Sequence, residues 1–119
     1  MVDQTIVKSV RNYLRTVQEE GVDVRFGIVF GSHATGNSAI WSDIDVLVVS
    51  PQYDGPRNRH DVDLLWRVAA RSDSRIEPIP CGERQWNEDS SSAIVEIARR
   101  EGETIFMDEV EQIPERYNA

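Results

Sequence analysis

At 119 residues the chain is expected to form one domain spanning residues 1–119, long enough for a core and too short for a second one. Its 21 acidic residues against 13 basic ones leave a formal net charge of −8, which disfavours general binding to DNA or RNA, a process driven by Lys and Arg displacing counterions. No run approaches the roughly 18 apolar residues of a membrane span, MVDQTIVKSV carries no signal-peptide pattern, and Cys81 has neither a disulfide partner nor a zinc-ligand neighbour, so a cytoplasmic protein is expected.

In chain order, Ile6, Val10, Tyr13, Leu14 and Val17 form a helical stripe across Asp3 to Gly21, with Asp3 as N-cap and Gly21 as the stop. Two apolar runs follow, Val24–Phe30 and Ile44–Val49, whose length and β-branched content read as strands. The turn between them opens with Gly31-Ser32. Glycine lets backbone approach a ligand, the first N–H groups of a short helix attract anions, and the Ser32 hydroxyl adds a donor. His33 reads as a partly exposed helix residue and Trp41 as a hydrophobic plug or a base-stacking ring. Asp43 and Asp45 lie two apart and so share one face of the second strand, with Cα atoms roughly 6.6 Å apart. Two carboxylates so placed can converge on divalent ions about 3.5–4 Å apart, the spacing of in-line phosphoryl chemistry.

Residues 50–59 (SPQYDGPRNR) read as a loop that follows this strand and lies near its site, bringing Tyr53, Arg57 and Arg59 within reach of a ligand or serving only as a connection. A helix from His60 or Asp61 through Arg71 presents Val62, Leu65, Trp66 and Ala69, and its Asp61 and Asp63 compete for the place of a third carboxylate. Residues 75–80 (RIEPIP) form a proline-interrupted strand, an edge or a site-lining segment, in which Glu77 stands among apolar neighbours. Residues 81–92 are polar and include Trp86 and the acidic pair Glu88-Asp89. Ala93 to Arg100 reads as a helix, Thr104–Met107 as a short strand, and 108–119 (DEVEQIPERYNA) as a mobile or partner-bound acidic tail. The fold expected is α/β (α+β), a mixed sheet of three main strands plus a short fourth, with helices mainly on one face and Asp43, Asp45 and Glu77 on the other.

Gly31-Ser32, a spacer containing Gly36, and Ser42-Asp43-Ile44-Asp45-Val46-Leu47-Val48 together resemble the signature of the polymerase-β-like nucleotidyltransferase superfamily, in particular its minimal (MNT) members. The resemblance implies a nucleotidyltransferase fold in which Gly31, Ser32 and Ser42 bind the nucleotide, ATP or another nucleoside triphosphate. It implies that Asp43, Asp45 and Glu77 hold Mg²⁺ or Mn²⁺ and carry catalysis of nucleotidyl transfer to a hydroxyl. Many minimal members have Arg or Lys where this chain has Thr35. Minimal members often form the antitoxin half of a toxin–antitoxin pair with a helical HEPN protein, so such a partner, or a homodimer, is the expected assembly. Larger relatives append an acceptor-building domain, for which 119 residues are expected to leave no room; the alternative to an enzyme is a binding module for that partner.

Overall fold

The computed structural model describes residues 2–89 and 91–108. The first helix, α1 (Gln4–Glu19), starts where the Asp3 carboxylate accepts from Thr5 N–H at 2.8 Å and ends before Gly21, whose φ of 113° continues no helix. Its buried stripe is Ile6, Val7, Val10, Tyr13, Leu14 and Val17, the 3–4 spacing of one helical face. Then come β1 (Phe26–Phe30), α2 (Ser32–Thr35), β2 (Ile44–Val49), a single 3₁₀ turn at Pro51–Tyr53, and α3 (Arg59–Ser72), capped by Asn58. The chain continues through β3 (Ile76–Cys81), α4 (Glu83–Glu88), α5 (Ala93–Glu101) and β4 (Glu103–Ile105).

The strands form one mixed sheet in the order β3-β2-β1-β4, with β2 antiparallel to β1, parallel to β3, and β4 antiparallel to β1. Pro78 and Pro80 lack the N–H that a central strand must donate, and β3 is accordingly an edge. One face, carrying Val29, Ile44, Val46, Val48 and Ile76, packs under α1 and α3. There α1 presses so closely on β1 that a Cβ at Gly27 would come within 2.8 Å of Leu14 Cδ1. Tyr13 donates to Leu65 O at 3.0 Å, and Ser9 donates to Asp73 at 2.7 Å, which fastens α1 to both the middle and the end of α3. Full burial of a side chain such as Leu14 or Leu65 stabilises by roughly 1.5–3 kcal/mol, so this face holds most of the apolar stabilisation. The opposite face carries Ile28, Phe30, Leu47 and Val49, and is covered in part by Val95 and Ala98 of α5, with Trp86 of α4 against it.

Several expectations change. The first strand begins at Phe26 rather than Val24, because Val24 N–H donates to Val22 O in a local turn. The polar segment 81–92, in which no element is expected, contains α4, held by bonds to distant residues: the Asp54 carboxylate accepts from Arg84 and Gln85 N–H. Loop 50–58 leaves the C-terminal end of β2, roughly 20 Å along the strand from Asp43, so Tyr53 and Arg57 stand at the far end of the sheet; there Arg57 bonds Tyr53 O and Gln85. The short last strand is Glu103–Ile105, and the tail from residue 109 lies outside the described residues.

Candidate active site

The site is built where β1 ends and β2 and β3 begin. Phe30, last of β1, is paired with Asp45, and Asp45 is in register with Glu77 of the parallel neighbour. Cα atoms of adjacent strands lie about 4.8 Å apart, so the two carboxylates are next-strand neighbours. Asp45 has the parity of Leu47 and Val49, which places it on the face opposite α1 and α3; Asp43, one residue before the strand, is exposed.

Gly31 turns the chain from β1 into α2 with φ +76°, ψ −150°, a conformation that side-chain-bearing residues rarely adopt. A second constraint acts on the same atom: a Cβ at Gly31 would collide with Oδ2 of Asp45. The glycine of the turn and the aspartate of the strand are therefore one packing unit. The four-residue α2 begins at Ser32 and closes on left-handed Gly36. The Thr35 hydroxyl turns back onto Gly31 O at 3.3 Å, and Ser42 Oγ accepts from Ala39 N–H at 2.9 Å while Ser42 N–H donates to Ala39 O, which fixes the turn preceding Asp43.

Electrostatically the carboxylates act as a group. Partial burial, then the Asp43 charge, raises the Asp45 pKa above its ordinary value, with His33 opposing. Glu77 is raised by desolvation, by Asp43 and Asp45, and by a hydrogen bond with Asp43. Like charges held this close favour the arrival of protons or cations. Among the described residues no three acidic, His or Cys side chains are gathered tightly enough to form a metal cage by themselves. The donor set nevertheless suits a hard divalent cation: it is all oxygen, anionic, borne on adjacent strands and in need of neutralisation.

The competing carboxylates stand elsewhere. Asp61 and Asp63 lie in the first turns of α3, which starts beyond the C-terminal end of β2; Asp61 O accepts from Tyr53 Oη, and Asp63 pairs with Arg59 at 3.8 Å. Trp41 is no plug: it is 79% exposed, and its neighbour Ile40 is 78% exposed. His33, expected to be a partly exposed helix residue, lies in α2 but is buried, and its Nε2 lies 3.1 Å from Ser42 O. Its place beside the Gly-Ser pair was the one sequence signal for it. Two cavities, about 350 Å³ beside Asp54 and Glu88 and about 270 Å³ between Asp3, His33 and Arg75, are not lined by Asp43, Asp45 or Glu77, which stand at the rim of the sheet where β1 ends and β2 and β3 begin.

Residues 10–98 match the family model described as a nucleotidyltransferase domain. No curated protein matches the chain. Among solved structures, a protein from Sulfolobus solfataricus assigned as a nucleotidyltransferase is similar at TM-score 0.58 and 18% identity, over 82% of this chain and 77% of that one. A chain in a toxin–antitoxin structure with AMP-PNP is similar at TM-score 0.55 and 18% identity, over 91% and 87%. A complex of tri-AMPylated Shewanella oneidensis HEPN toxin with MNT antitoxin contains a third, at TM-score 0.52 and 16% identity, over 98% and 88%. At these identities the likeness is one of fold.

Proposed function

Because the chain belongs to the nucleotidyltransferase domain family, we propose that it moves a nucleoside monophosphate from a nucleoside triphosphate to a hydroxyl of a protein or small-molecule acceptor, releasing pyrophosphate. The observation that carries this reading is the single unit formed by Gly31, Asp45 and Glu77, in which the turn of the Gly-Ser pair closes directly on a carboxylate aligned with a second on the next strand.

In this reading Gly31 and Ser32 bind the β and γ phosphates, Ser42 contributes to the nucleotide site, and Asp43, Asp45 and Glu77 hold Mg²⁺ or Mn²⁺. Bound there, the ions supply Lewis-acid polarisation of the α-phosphate and a lowered pKa for the acceptor hydroxyl. The acceptor oxygen forms a bond to the α phosphorus as the bond to the bridging oxygen of pyrophosphate breaks. Glu77 takes the acceptor's proton.

A second reading is favoured by the company of the similar folds: two lie in toxin–antitoxin complexes. In it the chain binds a helical HEPN-type partner, with or without modifying it.

Pyrophosphate release tests the assignment of the third carboxylate. Glu77→Gln should fold and bind nucleotide while turnover falls by about a hundredfold or more, the scale of general-base losses. Asp61→Asn and Asp63→Asn should turn over normally. Normal turnover in Glu77→Gln with loss in either Asp variant would reverse the assignment.

A further inference from the structure

His33 has no part in the chemistry just described, yet it is one of few buried polar side chains, 7% exposed. It sits on α2, directly after Ser32, and its ring reaches the main chain at Ser42, directly before Asp43. A carbonyl oxygen only accepts, so the 3.1 Å contact requires the proton on Nε2. Within α2, Ala34 and Thr35 N–H donate to Gly31 O and Asn37 N–H donates to Ser32 O, all local bonds. The bonds of the following turn join Ser42 to Ala39 and Arg75 Nη1 to Ile40 O. The imidazole joins these two sets.

We propose that His33 is a positioning residue that braces the phosphate-binding turn at Gly31-Ser32 against the segment leading into Asp43, adding to the packing of Asp45 on Gly31. The inference rests on the nucleotidyl-transfer reading. A nucleoside triphosphate with its metal must meet both parts together, and such constellations work only when held to about 0.5 Å. The segment from Ser32 to Ser42 contains left-handed Gly36 and the exposed, polar stretch Asn37-Ser38, so a cross-link at its ends removes freedom that substrate binding would otherwise have to remove. His33 lines the cavity it shares with Asp3, Ile6 and Arg75, which none of the three site carboxylates lines, so it acts through Ser32 and Asp43.

The test compares His33→Gln, His33→Asn and His33→Leu. The Gln amide nitrogen reaches the position of Nε2, the Asn amide stops at that of Nδ1, and Leu fills the space without a donor. Calorimetry uses non-hydrolysable analogues of the four nucleoside triphosphates with Mg²⁺, the tightest being carried to the variants; melting temperature is read in parallel. His33→Gln should bind within about threefold of wild type, and His33→Asn and His33→Leu about tenfold more weakly, with a melting temperature lowered by no more than the few degrees that one lost hydrogen bond costs. Binding as tight as wild type in His33→Leu and His33→Asn overturns the inference, as does equal weakening in all three, which would mean only that the ring fills space. If wild type binds none of the analogues, the nucleotidyl-transfer reading fails and this inference with it.

Discussion

At the scale of single residues, the site is a balance between packing and repulsion. Gly31 is excluded from bearing a side chain twice over, by its positive φ and by the Asp45 carboxylate seated against it. Gly31→Ala should therefore displace Asp45 and abolish transfer, with a stability loss of about 1–3 kcal/mol from strain and overpacking, measured by urea denaturation. Asp45 pulls the other way. Its folded pKa is raised above 3.8, so the folded state binds that proton more tightly than the unfolded one, and stability declines as pH rises from about 3.8 through the raised value. Metal-free Asp45→Asn, which never acquires the charge, should match or exceed wild-type melting temperature at neutral pH and lose that advantage below about pH 3.8, while transfer is abolished. A large drop in metal-free stability at neutral pH would make Asp45 a structural hydrogen-bonding residue instead.

Among the elements, the junction of α1, α3 and β3 holds the rim from behind. Asp73 ends α3, accepts from Ser9 of α1 and chelates Arg75, whose Nη1 supports Ile40 O. These bonds, the Arg75 ones foremost, hold the Asp73 carboxyl well below the usual range despite partial burial. The sign is opposite to that of Asp45: the stabilisation is complete above the unfolded value of 3.8 and is lost as pH falls toward the depressed one. Asp73→Asn should cost about 1.5–3 kcal/mol at neutral pH, as for hydrogen bonds to a charged group, with the gap narrowing in acid. Elements whose own residues determine them were legible in the sequence. The β2 limits Ile44–Val49 follow from a short run rich in β-branched residues, and α1 follows from its stripe and its Asp3 cap. The helix α4 was not, because ERQWNE has a single apolar residue and is held by tertiary bonds: Asp54 at its start and Arg99, which donates to Trp86 O, at its end. The spacing of the Gly-Ser pair and the two aspartates was legible as a motif, whereas the seating of Asp45 on Gly31 and the burial of His33 depend on how β1 and β2 pair. Placing Tyr53 and Arg57 near the site failed for a directional reason: a loop after β2 leaves the opposite end of that strand from Asp43.

For the whole molecule, a net charge of −8 sets what approaches it. Without a basic stripe, duplex DNA and RNA should show no binding by fluorescence polarisation at about 150 mM salt, and retained binding there would mean that local charge outweighs the total. The same charge works in favour of cations, which a rim of three mutually repelling carboxylates most needs. The central claim, that this rim and the Gly-Ser turn form one nucleotide-and-metal site, is tested most directly by calorimetry of a non-hydrolysable nucleoside triphosphate with Mg²⁺ or Mn²⁺, in wild type and in Asp43→Ala. The account predicts binding that appears with the metal, disappears in chelator and is absent in Asp43→Ala at an unchanged melting temperature. Equal binding in chelator, or an undiminished affinity in Asp43→Ala, would contradict it.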